Sequence, residues 1–298
     1  VSLFLNFSYD SFPNKSNGVP DIKVVPEASS NQDENGSWYY DEATCAQLVY
    51  MYGEVGYKYS GNCDEFFDLY GKKIPNDEQK SLTVCSLDIG AGTTDLMISK
   101  YSYQKDGVNT TITPSPMFYD SFYVAGDDML KGVVKNYMLL SEQFSAFRQV
   151  LKDLSWPDYR QTMKNFFGED YNGQTLQDRT LRKDFNLQYS VPLMHYFLSL
   201  LSSDSKDCEV HFEDVFSVCP PNPRVIEGFK KLTGIDVCHL VWSFNRNFLS
   251  QLVANELEDT LKQISTIIYS QACDIVLLSG RPASLPVIRD LFLKYYPV

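Results

Sequence analysis

Leu87-Asp88-Ile89-Gly90-Ala91-Gly92-Thr93-Thr94-Asp95-Leu96 is the stretch on which the reading of this chain turns. The run before it, Leu82 to Leu87, is short, apolar and β-prone, and the run after it, Leu96 to Tyr101, is apolar again. The pattern predicts strand, tight glycine turn, strand: a β-hairpin with two carboxylates and two threonines at its tip. Gly90 and Gly92 are expected to let the backbone approach a ligand and to take positive φ. Successive turn N–H groups can then form a concave anion site. Asp88 and Asp95 suit a hard divalent cation, held directly or through water, as Mg²⁺–phosphate sites require. The Thr93 and Thr94 hydroxyls add phosphate ligands. No G-x-x-x-x-G-K-[ST] occurs, and a hairpin rather than a helix follows the glycines, so this is not a P-loop. On the residues alone, the competing reading is an ordinary hairpin with a Gly-rich, Asp-flanked turn.

Three further segments extend the pattern: Asp41-Glu42-Ala43-Thr44-Cys45-Ala46-Gln47-Leu48, Val124-Ala125-Gly126-Asp127-Asp128-Met129-Leu130, and Ile275-Val276-Leu277-Leu278-Ser279-Gly280-Arg281-Pro282-Ala283-Ser284-Leu285-Pro286. The decapeptide resembles the phosphate motif D-x-G-x-G-T-T/F-D of the actin/Hsp70/sugar-kinase ATPase superfamily. The other three resemble, in the family's order, its interlobe helix E-P-T-A-A-A-L, its G-G-E-D-F-D turn and its adenosine motif V-L-x-G-G-S-T-R-I-P. The pairing of L-D-I-G-x-G-T-T-D-L with A-G-D-D and S-G-R-P is further similar to the SrfB-type virulence factors of bacteria, whose nucleotide-binding region is Hsp70-like.

The resemblance implies an α/β fold: a ribonuclease-H-like ATPase lobe, with a mixed sheet flanked by helices and a mostly helical inserted subdomain. Residues 1–80 would be the end of the first lobe with the interlobe helix. Residues 81–140 and 232–298 would form the nucleotide-binding second lobe, and 141–231 the insertion, the segment through which a client or partner protein would dock. The ligands implied are ATP or ADP with Mg²⁺. Gly90, Ala91, Gly92, Thr93 and Thr94 would hold the β- and γ-phosphates. Asp88 would orient Mg²⁺ through water, and Asp95 would order that water or the attacking one. Gly126 would sit close to a phosphate or ribose, where a side chain would collide. Asp127 would replace the family's Glu or cap the helix. Ser279 and Gly280 would lie against adenosine, and Arg281 would stack on adenine or pair at the surface. Such a domain, expected to be a C-terminal portion of a longer cytoplasmic protein, would bind Mg-ATP and hydrolyse it slowly at most, coupled to lobe movement.

The sequence departs from the family in three places. Ala91 stands where Hsp70 relatives have glycine, so positive φ there would be strained. Arg281 precedes Pro282, whereas the family's arginine comes later. No copy of the first phosphate loop, D-x-G-x-x, precedes Asp41, and phosphoryl transfer needs nucleotide, metal and water positioned from both sides. Two alternatives therefore stand: a degenerate actin-like fold serving as a protein-interaction module, and part of a small-molecule kinase. A filament-forming actin homologue is the structural alternative.

Composition bounds these readings. The 298 residues can bury a sizeable core and hold two domains. The net charge of −12 argues against broad nucleic-acid or anionic-membrane binding, which needs a basic face. Seven cysteines without a C-x-x-C read as reduced, mostly buried thiols. No run approaches the length of a membrane helix. The three histidines, His195, His211 and His239, carry no hydrolase pattern and read as structural or solvated.

Along the chain, Leu3–Phe7 and Ile22–Val25 are expected as strands and Asp41–Val55 as a helix capped by Asp41, with Ala46, Val49, Tyr50 and Gly53 on one side. A short helix follows at 64–70. Strands are expected at 82–87, 94–101 and 111–123, with Gly107 at the second hairpin tip, then a helix from Asp127 to Leu140. Ser141–Leu154, Asp158–Phe167 and Leu187–Leu201 look helical. The three- and four-residue spacing of Leu249, Val253, Leu257, Leu261, Ile264 and Ile268 predicts an amphipathic helix. A buried strand at 275–278 and a last helix over 285–295 close the chain.

Overall fold

The computed structural model of the chain describes residues 42–71, 80–106, 109–167, 175–203 and 205–296. In chain order these form α1 (Glu42–Met51, continued by a π-helical turn, Tyr52–Lys58), α2 (Cys63–Tyr70), β1 (Leu82–Ile89), β2 (Thr94–Asp106) and β3 (Asn109–Phe122). Then come α3 (Gly126–Val133, continued by a π-helical turn, Val134–Leu139), α4 (Ala146–Val150), α5 (Trp156–Phe167), α6 (Leu176–Phe185) and α7 (Val191–Ser202). The rest is β4 (Cys208–Val210), α8 (Phe212–Phe216), α9 (Pro223–Thr233), β5 (Trp242–Phe244), α10 (Arg246–Ser270), β6 (Ile275–Ser279) and α11 (Pro286–Tyr295). The anticipated strands at 3–7 and 22–25, the Asp41 cap and the Gly107 tip lie outside the described residues. The chain divides into two compact units.

The first unit holds a mixed four-stranded sheet, order β3-β2-β1-β6, with helices. β1 and β2 are antiparallel from Leu82↔Tyr101 to Ile89↔Thr94, and β6 lies parallel to β1 from Val84↔Ile275 to Asp88↔Ser279. Seven of the eight β1 residues are buried, as a central strand covered on both faces requires. Pro114 and Pro116 fall in β3, an edge strand where a missing N–H is tolerated. β6 is half-buried throughout, not buried as its apolar run predicts, because it too is an edge.

α1 packs on β1 through Gln47, Met51 and Val55, an i, i+4, i+8 stripe, while Val49 is exposed. The expected face is thus rotated, and the reason is polar. Fully buried Gln47 donates from Nε2 to Val84 O (3.3 Å), Ser86 Oγ (3.0 Å) and Met97 O (2.9 Å), and its Oε1 accepts from Tyr101 OH (2.9 Å). Met51, Val55, Cys63, Phe66, Phe67, Leu82, Val84 and Tyr101 form one core cluster. Burying each of the two phenylalanines contributes about 2–3 kcal/mol.

The second unit has an aromatic core. Phe185 stacks on Phe229 at 4.0 Å, Phe166 meets Phe229 edge-on at 4.7 Å, and Phe147 meets Trp242 at 5.2 Å. Trp242 donates from Nε1 to Tyr189 OH (3.0 Å), so the indole is buried with its polar atom satisfied. Tyr137 OH donates to Ser243 O (2.6 Å) and accepts from Asn245 N–H (2.7 Å), tying the turn after α3 to β5. The two-stranded β4–β5 sheet, whose strands are too short to carry a period, and α9 were not anticipated.

The helix expected over Ser141–Leu154 shrinks to the five residues of α4. Serines explain its start: Phe144 N–H donates to Ser141 Oγ (3.0 Å), and Ser145 Oγ donates to Met138 O (2.6 Å) while accepting from Arg148 N–H (3.2 Å). Arg148 ends it by donating from Nη1 to the Leu151 and Leu154 carbonyls (3.0 and 3.1 Å). In α10 the anticipated stripe from Leu249 to Ile268 is buried at every position.

Candidate functional site

In the first unit one register row crosses all four strands: Ser121 on β3 opposite Asp95 on β2, Asp95 opposite Asp88 on β1, and Asp88 opposite Ser279 on β6. Paired residues project to the same face of a sheet. The two carboxylates are therefore neighbours, each held from its outer side by a serine. Ser279 Oγ donates to Asp88 Oδ1 (2.6 Å), and Ser121 Oγ donates to Asp95 Oδ1. Asp88 is buried and Asp95 half-buried. The register sets the two carboxyl groups directly opposite each other, and like charges in that position cost stability unless a cation lies between them.

Mg²⁺ takes one or two carboxylates and completes its shell with water and substrate phosphates. Among the described residues no group of three or more His, Cys, Asp or Glu could hold a metal ion, so protein ligands alone do not complete a shell.

Thr94 is buried at 2 % exposure within β2, so of the two threonines only Thr93, half-buried, has a side chain open to solvent. Gly280 has φ +88°, and a Cβ there would lie 2.0 Å from Ile89 O. Its glycine is demanded by the neighbouring backbone before any adenosine is considered. Ser279 is occupied by Asp88.

In the second unit, the turn Gly90–Thr93 closes with Gly90 N–H donating to Thr93 O (2.8 Å). None of Gly90, Ala91 and Gly92 has positive φ. The anticipated left-handed glycines are absent from the turn, and Ala91 is unstrained. The turn is latched to α3: Gly126 N–H donates to Gly90 O (3.0 Å) and Asp127 N–H to Ala91 O (2.7 Å). Two of the helix's orphan donors are thereby satisfied by protein.

Gly126 is required, but by the turn: a Cβ would meet Gly90 O at 3.0 Å and Pro282 Cγ at 3.1 Å. A Cβ on Gly92, by contrast, meets nothing within 4 Å. The cap of α3 belongs to Asp128, whose Oδ2 accepts from Ala125 N–H (3.4 Å), which leaves Asp127 exposed. Arg281 is exposed, and its carbonyl accepts from Ser284 Oγ (2.7 Å) in the short turn that follows.

Of the residues singled out from the sequence, Asp88, Asp95 and Ser279 come together on the sheet, and Gly90–Thr93, Gly126, Asp127 and Arg281 gather around the start of α3. The sequence reading missed Ser121. Only the length of the β2–β3 hairpin, counted back from its tip, could have placed it beside Asp95.

Among the described residues no helix is long and apolar enough to cross a membrane. None of the curated proteins matches the chain. The family model described as virulence factor SrfB matches residues 27–298, and on that extent the chain belongs to the SrfB virulence factor family.

Proposed function

We propose that this SrfB chain binds Mg-ATP or Mg-ADP in the manner of an actin/Hsp70-like ATPase lobe, with slow hydrolysis at most. The observation that carries the reading is the opposed pair Asp88 and Asp95, each oriented by a serine. In this reading the carboxylates hold Mg²⁺ through water, and the exposed turn from Ala91 to Thr93 receives phosphate oxygens. The order β3-β2-β1-β6, three antiparallel strands with β6 parallel to β1, supports a ribonuclease-H-like lobe. Mg²⁺, when bound, supplies charge neutralisation for the phosphates. The chain's own groups orient its water shell.

Isothermal titration of ATP and ADP with and without Mg²⁺ tests this, with Asp95→Asn as control. Mg-dependent binding lost in the variant supports the reading, and no binding at millimolar nucleotide sinks it.

A second reading, a degenerate fold used for protein interaction, has its own observation. The Gly126 and Asp127 amides, which a phosphate would otherwise recruit at a helix start, are spent on the turn carbonyls. Under that reading the chain acts in the cytoplasm by docking a partner protein through 141–231.

A further inference from the structure

In the first unit Asp88 is more than nine-tenths buried, at 7 % exposure, and one of its two oxygens already has a partner. Ser279 Oγ donates to Oδ1 at 2.6 Å, and no other hydrogen bond or ion pair with a described residue reaches this carboxyl group. Oδ2 is not fully enclosed, unlike the partnerless hydroxyls of Ser190 and Ser265, so the group opens outward through Oδ2 alone. Burying a carboxyl group with one oxygen unpaired is costly unless something outside the protein completes its bonding.

We propose that Ser279 is a specificity-determining residue: by occupying Oδ1 it leaves Asp88 only Oδ2 to offer a metal, and so selects Mg²⁺ over Ca²⁺ as the ion that accompanies the nucleotide. This rests on the nucleotide reading above and adds to it the choice of cation. The backbone sets the hydroxyl in place before any ligand arrives. Ser279 ends β6 directly opposite Asp88 in the parallel register. Gly280, the next residue, has φ +88° and lies so close to β1 that a Cβ would fall 2.0 Å from Ile89 O. The chain on both sides of Ser279 is thus held against β1, and its side chain has little freedom to leave Asp88.

The discrimination follows from coordination chemistry. Ca²⁺ takes about six to eight oxygen ligands, and carboxylates that give it both oxygens help to reach that number. To do so here, Asp88 would have to give up its hydrogen bond from Ser279. Mg²⁺ is smaller, demands near-octahedral geometry and keeps several waters, so a carboxylate that presents one oxygen, directly or through water, suits it. Across the sheet Ser121 Oγ donates to Asp95 Oδ1 in the same manner. There Asp95 is half-buried and Ser121 sits on the edge strand β3, a looser setting that leaves the discrimination to the buried Asp88.

The test is titration of ADP into the whole chain in saturating Mg²⁺ and, separately, in saturating Ca²⁺, for wild type, Ser279→Ala and Ser279→Thr. The quantity read is the ratio of the two dissociation constants within each protein. A loss of folded protein cancels in that ratio, and the nucleotide's own preference between the two ions cancels between proteins. Wild type is expected to bind Mg-ADP more tightly than Ca-ADP. Ser279→Ala should shrink that preference by about tenfold, the scale of one hydrogen bond to a charged group. Ser279→Thr, which keeps the hydroxyl, should retain it. Mg-ADP binding with an unchanged preference in Ser279→Ala, or with the preference lost equally in Ser279→Thr, overturns this inference and leaves the nucleotide reading intact. No binding by wild type with either ion overturns both.

Discussion

Asp88 and Asp95 face each other across β1 and β2, and the hydroxyls that orient them, Ser279 and Ser121, come from the strands on either side. Like charges in direct cross-strand register repel. Replacing one carboxyl group should therefore stabilise the ligand-free chain and, on the nucleotide reading, weaken Mg-nucleotide binding. We expect Asp95→Asn to raise unfolding free energy by about 0.5 kcal/mol without ligand, within the range for like-charged cross-strand pairs. The same change should abolish the melting shift given by Mg-nucleotide, a shift worth about 2.7 kcal/mol at a hundredfold excess over Kd. Thermal melts of both proteins with and without Mg-ATP check this. Destabilisation of ligand-free Asp95→Asn would count against the opposed-charge account.

The turn glycines separate packing from ligand approach. Gly126→Ala places a methyl 3.0 Å from Gly90 O and 3.1 Å from Pro282 Cγ. It should cost about 1–3 kcal/mol, as overpacking does, by loosening the latch between turn and helix. Gly92→Ala meets nothing within 4 Å and needs no unusual φ, so its denaturation curve should overlay wild type. Any loss of nucleotide affinity in Gly92→Ala would then report close approach by the phosphate itself. Unchanged affinity would assign the turn no more than a connecting role.

The strands of the four-stranded sheet and the long helix were legible from the sequence because apolar period and turn residues decide them. The Leu87–Leu96 decapeptide gave the hairpin, and the stripe from Leu249 to Ile268 gave α10. Burial of Gln47 was not legible, since an amide in an α1 pattern reads as surface. Only the carbonyls of Val84 and Met97, brought together by sheet pairing, make it an interior residue. Glycine roles were half legible: the need for a small residue at Gly126 and Gly280 could be read, but the atoms that impose it, Gly90 O and Ile89 O, lie at other points of the chain. Ser121 carried no motif at all, and it acquires meaning from Asp95, brought beside it by sheet pairing.

Gln47 should thus be among the least tolerant polar positions of the first unit. Gln47→Leu removes donors to Val84 O, Ser86 Oγ and Met97 O and strands the Tyr101 hydroxyl in a buried setting. Leaving buried polar groups unpaired costs about 1–3 kcal/mol each, so a loss of about 3 kcal/mol or more is expected in urea denaturation. An effect below about 1 kcal/mol would mean that water or a shifted side chain takes over these bonds.

Alkaline pH should unfold the chain through its buried phenols. Tyr101, Tyr137, Tyr159 and Tyr189 are buried, and burial pushes each phenol above its ordinary value; Tyr103 is pushed up to about 12 by its bond to the Asp64 carboxylate. The folded state thus holds these protons more tightly than the unfolded chain, whose phenols titrate near 10. The stabilisation is complete below pH 10 and is lost as pH rises above it, because the unfolded state releases protons the folded state keeps. Each buried tyrosine adds a slope of about 1.4 kcal/mol per pH unit in that range, so the four together should bring the midpoint of urea unfolding down steeply between pH 10 and 11. Phenolate absorbance at 295 nm should then rise in two parts, a gradual one from exposed tyrosines and a cooperative one coincident with loss of the helical signal. A single smooth rise with the helices intact would show that these hydroxyls titrate in the folded chain.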